Sequence, residues 1–119
     1  MSRYVDGFVL PISKRHVQAY RRIAQRAGKL WREHGALEFR ECGGDDLRSG
    51  MGVSFRRLAK AKPSETVFFS WIVFKSRAHR DRVNAKVWKD PRLNAMDMKS
   101  MPFDMKRTMY GGFKVFVAA

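Results

Sequence analysis

Residues 66–75, Thr-Val-Phe-Phe-Ser-Trp-Ile-Val-Phe-Lys, are apolar on both of the faces that a strand presents. Phe68, Ile72 and Phe74 fall on one side, and Val67, Phe69, Trp71 and Val73 on the other. A half-exposed strand alternates apolar with polar, so this pattern predicts a strand covered on both faces. Ser76 follows as an N-cap, and residues 77–89 read as a basic helix with a thin stripe of Val83, Val87 and Trp88, helped by Ala78 and Ala85. Asp90-Pro91 stops it, because proline disfavours helical backbone in the residue before it.

The first half of the chain gives a parallel reading. Residues 3–11 predict a strand closed by Pro11, with Asp6 among apolar neighbours and Gly7 suggesting a bulge or a close backbone approach. An unpaired carboxylate there would be costly, which favours an arginine partner or an exposed strand end over a role on a ligand. Ser13 is the expected cap of a helix reaching His34, since Val17, Tyr20, Ala24, Ala27 and Trp31 recur at spacings of three and four. Gly35 suits the position that ends it. Residues 37–42, Leu-Glu-Phe-Arg-Glu-Cys, predict a strand with one wetter side, and Gly43-Gly44-Asp45-Asp46 predicts a turn. A long connection follows, in which residues 53–58 suggest a short irregular strand, and residues 110–117 predict the last strand. Between helix and last strand, Met96, Met98, Met101, Met105 and Met109 suggest adaptable side chains plugging a core, with a lid over a pocket as the sharper alternative.

The order β-α-β, connection, β-α-β predicts an α+β, ferredoxin-like βαββαβ sandwich, one domain over residues 1–119, with both helices on one face of a four-stranded antiparallel sheet. Two helices leave the other face bare. That face carries Val67, Phe69, Trp71 and Val73 together with one side of the last strand, so a homodimer packing sheet against sheet is expected.

Charge changes the picture more than composition does. The 119 residues hold 25 Lys and Arg against 11 Asp and Glu, a formal net charge of +14, which favours polyanions such as nucleic acid. No nucleic-acid motif contains these residues; the candidate contacts are Arg21, Arg22, Arg26, Arg77, Arg80 and Arg82 on outer helix faces. An apolar share of 45% excludes a disordered chain. One cysteine, Cys42, and no apolar run long enough to span a bilayer point to the cytoplasm, without a membrane partner.

Chemistry is sparse. His16, His34 and His79 form no metal-binding spacing, so neither a metal nor a cofactor is expected. No nucleophile-base-acid set assembles, which leaves open whether the chain is an enzyme. The residues to test for a small apolar or aromatic ligand are Ser70, Trp71, His79 and Tyr110; for each, plain packing or a local hydrogen bond is the competing role. His79 lies in the first turn of its helix, where the dipole favours a neutral ring.

Several strings carry a resemblance. They are Tyr4-Val-Asp-Gly-Phe-Val-Leu-Pro11, Trp31-Arg-Glu-His-Gly-Ala-Leu-Glu-Phe-Arg-Glu-Cys42, residues 69–86, Met101-Pro-Phe-Asp104 and Tyr110-Gly-Gly-Phe113. Together they resemble the YbaA-like family of bacterial proteins, a domain of unknown function in the dimeric α/β barrel superfamily. The resemblance implies a homodimeric ferredoxin-like domain and carries over no catalytic residue. Met98 and Met105 stand where relatives are expected to have Pro and Gly, which implies a differently shaped loop.

Overall fold

Backbone pairing follows the apolar pattern closely. The computed structural model describes residues 2–48, 50–96 and 102–119. Four strands, β1 (Tyr4–Ser13), β2 (Glu38–Gly43), β3 (Glu65–Phe74) and β4 (Met109–Lys114), form one sheet in the order β2-β3-β1-β4. Every neighbouring pair is antiparallel. Helix α1 (Val17–Glu33) connects β1 to β2, the single turn α2 (Phe55–Leu58) lies in the long connection, and α3 (Arg77–Lys89) followed by α4 (Pro91–Asn94) leads toward β4. This is the expected ferredoxin-like arrangement.

The helix-covered face holds the core. Tyr4, Leu30, Ala36, Ile72, Phe74, Val83, Val87 and Leu93 form one buried cluster, and Leu10, Ile12, Tyr20 and Phe68 a second, with the half-buried Phe8 touching both. Phe74 and Val87 are fully buried, each contributing about 1.5–3 kcal/mol relative to exposure. The opposite face is covered at one end by α2 and its connection. There Phe55 packs on Phe69, and Val67, expected on the bare face, is 2% exposed. The rest of that face has no covering element among the described residues. On it Phe69 is 46% and Phe113 63% exposed, while Val5, Val9, Trp71 and Val73 are half-buried. Gly7 makes no bulge, for its pairing with Trp71 and Gly111 is regular, and the Phe113 ring lies over both glycines on this open face.

Local signals hold at several joints. Ser76 Oγ accepts the His79 N–H at 3.1 Å and starts α3, and Gly35 takes φ of +119° after α1. Ser13 instead precedes a short 3-10 turn, Lys14–His16, and its side chain caps nothing. Within residues 53–58 no strand forms: Phe55–Leu58 make a helical turn, because Ser54 accepts the Arg57 N–H and caps it. Trp88, expected in the core stripe of α3, is 60% exposed, leaving Val83 and Val87 to anchor that helix. The last strand ends at Lys114, and Phe116 beyond it is 98% exposed. Within the methionine run, Met98 and Met101 lie outside the described residues; Met96 packs on the first cluster and Met105 is exposed. No helix among the described residues is long and apolar enough to cross a membrane.

Two buried carboxylates are each held by an arginine. Asp6, 1% exposed, accepts from Arg80 Nη1 at 2.8 Å, and the Arg80 guanidinium also lies over the Tyr4 ring. Arg80 therefore turns inward and does not belong to the outer basic face where the sequence placed it. Burial raises the Asp6 pKa, with Arg80 opposing the shift. Glu65, at the start of β3, receives both arms of Arg107 at 2.7 and 2.8 Å, and Arg56 donates to its carbonyl and to that of Lys62. The Arg107 hydrogen bonds pull the Glu65 pKa down to about 2.

The two carboxylates predict opposite acid behaviour. Truncating Arg80 strands the Asp6 charge, so Arg80→Ala should lose about 3–5 kcal/mol at neutral pH, and less as pH falls and the raised carboxyl takes up its proton; urea unfolding at neutral and at acid pH reads the difference. Glu65 has a depressed folded pKa, so its contribution is complete above the unfolded value of 4.5 and is lost as pH falls toward about 2. Glu65→Gln should therefore flatten the acid limb of the stability profile below about pH 5.

Candidate functional site

Strand register brings Glu41, Ser70, Phe8 and Tyr110 into one row across the helix-covered face. Glu41 pairs with Ser70, Ser70 with Phe8, and Phe8 with Tyr110. Polar groups in this position need partners from within the protein. Tyr20 reaches down from α1, and its hydroxyl lies 2.9 and 2.8 Å from the two Glu41 carboxylate oxygens. Ser70 donates its hydroxyl to Glu41 Oε2 by a short contact. The Tyr20 ring is fixed by Phe68, with centroids 4.9 Å apart, and by Phe103. Three elements thus converge on one carboxylate.

The carboxylate is not in its ordinary state. Burial raises the Glu41 pKa, and the hydrogen bonds from Ser70 and Tyr20 only partly offset this. Burial and the neighbouring Glu41 charge push the Tyr20 phenol far above its usual value, so Tyr20 is a donor and not a phenolate. A carboxylate has about four acceptor positions, and these two hydroxyls leave room for another donor.

That room opens into a cleft of about 510 Å³ between α1 and the edge strand β2. Val17, Tyr20, Ala24 and Gly28 form its α1 wall, and Phe39, Glu41, Gly43 and Phe68 its sheet side. Ala24 leaves space beside the sheet, while Gly28 lets the Phe39 ring close against α1. At Gly28 the approach is closest, since a Cβ there would stand 2.8 Å from the Phe39 ring. Arg21, Gln25, Lys29 and Arg32 are exposed and line the mouth. Arg32 Nη1 is tied to the Leu37 carbonyl, which pins one end of the mouth to the turn before β2.

The four residues singled out for a small ligand do not form one group. Ser70 is at the Glu41 site. Tyr110 is on the same face but two strands away, where its ring packs on Phe8 at 5.0 Å and its oxygen accepts from Arg80 at 3.0 Å. Trp71 lies on the open face, with Nε1 3.3 Å from Glu38 Oε2. His79 sits at the start of α3; its Nδ1 accepts the Lys75 N–H at 2.9 Å, and its ring packs on Phe74. Burial and the surrounding Lys75, Arg82 and Lys86 charges lower its pKa, so the ring is neutral. Of the proposed basic contacts, Arg21, Arg22, Arg26, Arg77 and Arg82 are exposed on the helices.

Sequence reasoning passed over Glu41 and Tyr20. A signal existed: in residues 37–42 the alternation puts Leu37, Phe39 and Glu41 on one side, so Glu41 is the polar residue on the apolar face. Among the described residues no three of His, Cys, Asp or Glu come together in a way that would hold a metal ion.

Comparison with known proteins places the chain. The YbaA protein of Escherichia coli K12, described as uncharacterized, is 43% identical over 115 residues, covering 97% of each chain. The YbaA protein of Shigella flexneri matches to the same extent. Among solved structures, an uncharacterized NIPSNAP domain protein from Burkholderia xenovorans superposes with a TM-score of 0.61 at 17% identity, over 98% of this chain and 94% of that one, a likeness of fold alone. Residues 3–105 match the model of a protein family of unknown function, DUF1428. With that match and those relatives, the chain belongs to the DUF1428 family of bacterial proteins.

Proposed function

We propose that this protein binds a small, largely apolar molecule in the cleft between α1 and β2, with Glu41 as its polar anchor. The observation that carries the reading is a half-buried carboxylate of raised pKa on the sheet side of an open cleft, oriented by Tyr20 and Ser70. Clefts of this size with apolar walls and a few convergent polar groups are the usual form of ligand sites. A neutral aromatic donor, 2-naphthol, is the probe. Its fluorescence should report binding that weakens at least tenfold in Glu41→Gln, the scale of a hydrogen bond to a charged group. Filling the cleft with Ala24→Trp should abolish the signal in a variant whose melting curve shows it folded, and NMR shifts in the parent should localise to Phe39 and Phe68. Shifts confined elsewhere would sink the reading.

The working unit in this proposal is a homodimer joined through the open sheet face. Phe69, Trp71, Val73, Phe113, Val5 and Val9 make that face apolar, and Phe55 packs against Phe69 at its border. A second copy offers the matching surface. Sedimentation at about micromolar concentration should give a dimer, and Phe69→Lys a monomer; a monomeric parent refutes this assembly. The exposed, unbridged Cys42 suits a reducing compartment such as the cytoplasm.

A second reading rests on the outer face of α1. Arg22 and Arg26 on α1, with Arg15 in the 3-10 turn before it, have no acidic partner within ion-pair distance among the described residues, whereas Arg80, Arg92 and Arg107 are each paired. Such a row suits a polyanion. Fluorescence anisotropy with single-stranded DNA should show binding that falls with salt and with Arg22→Ala/Arg26→Ala; absence of binding at low salt removes this reading.

A further inference from the structure

The cleft has an electrical direction. Glu41 is its acidic group, on the sheet side beneath α1. The mouth is cationic, for Arg21, Lys29 and Arg32 line it and Gln25 stands between them on the same side of α1. Positions 21, 25, 29 and 32 run along one side of the helix, and Val17, Tyr20, Ala24 and Gly28 along the adjacent side that faces the sheet. The cationic row from residue 21 to residue 32 is therefore about 16 Å long and runs beside the apolar trough. No acidic side chain among the described residues comes within ion-pair distance of Arg21 or Lys29, so both charges are open to a ligand.

We infer that the cleft selects an organic anion, an apolar ring with an acid group at one end and a hydrogen-bond donor at the other, held acid outward against Arg21 and Lys29 with its donor on Glu41. This rests on the cleft being a ligand site and adds its chemical class and orientation. The reverse orientation would place two negative groups together beside the half-buried Glu41, where their repulsion is less screened than in bulk water. A neutral ring would leave the mouth charges unused, and a cation would meet them on the way in. Arg32 is already tied to Leu37, which leaves Arg21 and Lys29 as the residues that choose between an acid and its neutral analogue. The lining suits an aromatic body: Phe39 and Phe68 present rings on the sheet side, and Ala24 on α1 projects little into the space.

The test uses two probes of one shape, 6-hydroxy-2-naphthoate and 6-hydroxy-2-naphthamide, titrated into the full-length protein and followed by fluorescence. The naphthoate should bind about tenfold more tightly than the amide at low salt, the scale of two exposed ion pairs. That advantage should shrink at about 1 M salt, where screening is nearly complete. The double variant Arg21→Ala/Lys29→Ala removes exposed side chains only. It should erase the preference by weakening naphthoate binding to the level of the amide. Equal binding of both probes to the parent overturns the anion class and leaves the cleft reading standing. A preference for the naphthoate that survives the double variant overturns the assignment to Arg21 and Lys29. Binding of neither probe, with no binding of 2-naphthol, overturns both the inference and the reading beneath it.

Discussion

Strand β3 is hydrogen-bonded on both edges, to β1 over its whole length and to β2 over residues 68–73. Its two faces then have to be covered by something other than strands. One chain supplies two substantial helices, and both go to the same side, because each returns the chain from one strand to a strand that fits beside β1 or β3. The consequences spread from there. The covered face gathers the core and, with it, Asp6, Glu41 and Ser70, polar residues that alternation directs inward. The uncovered face keeps aromatic side chains at its surface. What looks like two separate features, a site under α1 and a bare apolar sheet, has one geometrical origin.

The inward polar residues are solved in different ways. Asp6 is neutralised by Arg80, Glu65 by Arg107, and Asp90 by Arg92 with help from His34. In the last case the Arg92 and His34 hydrogen bonds hold the Asp90 carboxyl well below its usual range. Glu41 differs from all three. Its partners are hydroxyls, which orient a carboxylate without cancelling its charge. A group left in that condition at the edge of a cleft is available for work that a saturated ion pair cannot do.

Much of the fold was legible because its signals are local. Periodicity marked α1 and β3, and Ser76, Gly35 and Pro91 marked where elements begin and end. The errors arose where tertiary context decides. Trp88 lies on the apolar side of α3 in the sequence pattern, yet it is 60% exposed, with no element among the described residues packed over it. Residues 53–58 have strand-like composition, but Ser54 and the arginine contacts from Arg56 favour a helical turn. The candidate site was less legible still. Ser70 was visible as a polar residue inside an apolar strand. Its partners Glu41 and Tyr20 lie 29 and 50 residues away in the chain, and no spacing rule connects positions brought together only by sheet register and helix docking. Arg80 failed for the same reason, since its partner Asp6 is 74 residues distant.

The sharing of Glu41 bears on how this protein can drift. Tyr20 and Ser70 come from different elements, and both donate to the one carboxylate, Tyr20 to either oxygen and Ser70 to Oε2. Replacing the glutamate by an apolar residue would leave two enclosed hydroxyls without their acceptor, a penalty of about 1–3 kcal/mol for each. Exchanging all three for apolar side chains of matching volume would avoid it. The trio is therefore epistatic: single changes are disfavoured, while concerted ones open a route by which a lineage could lose the anchor and keep the fold.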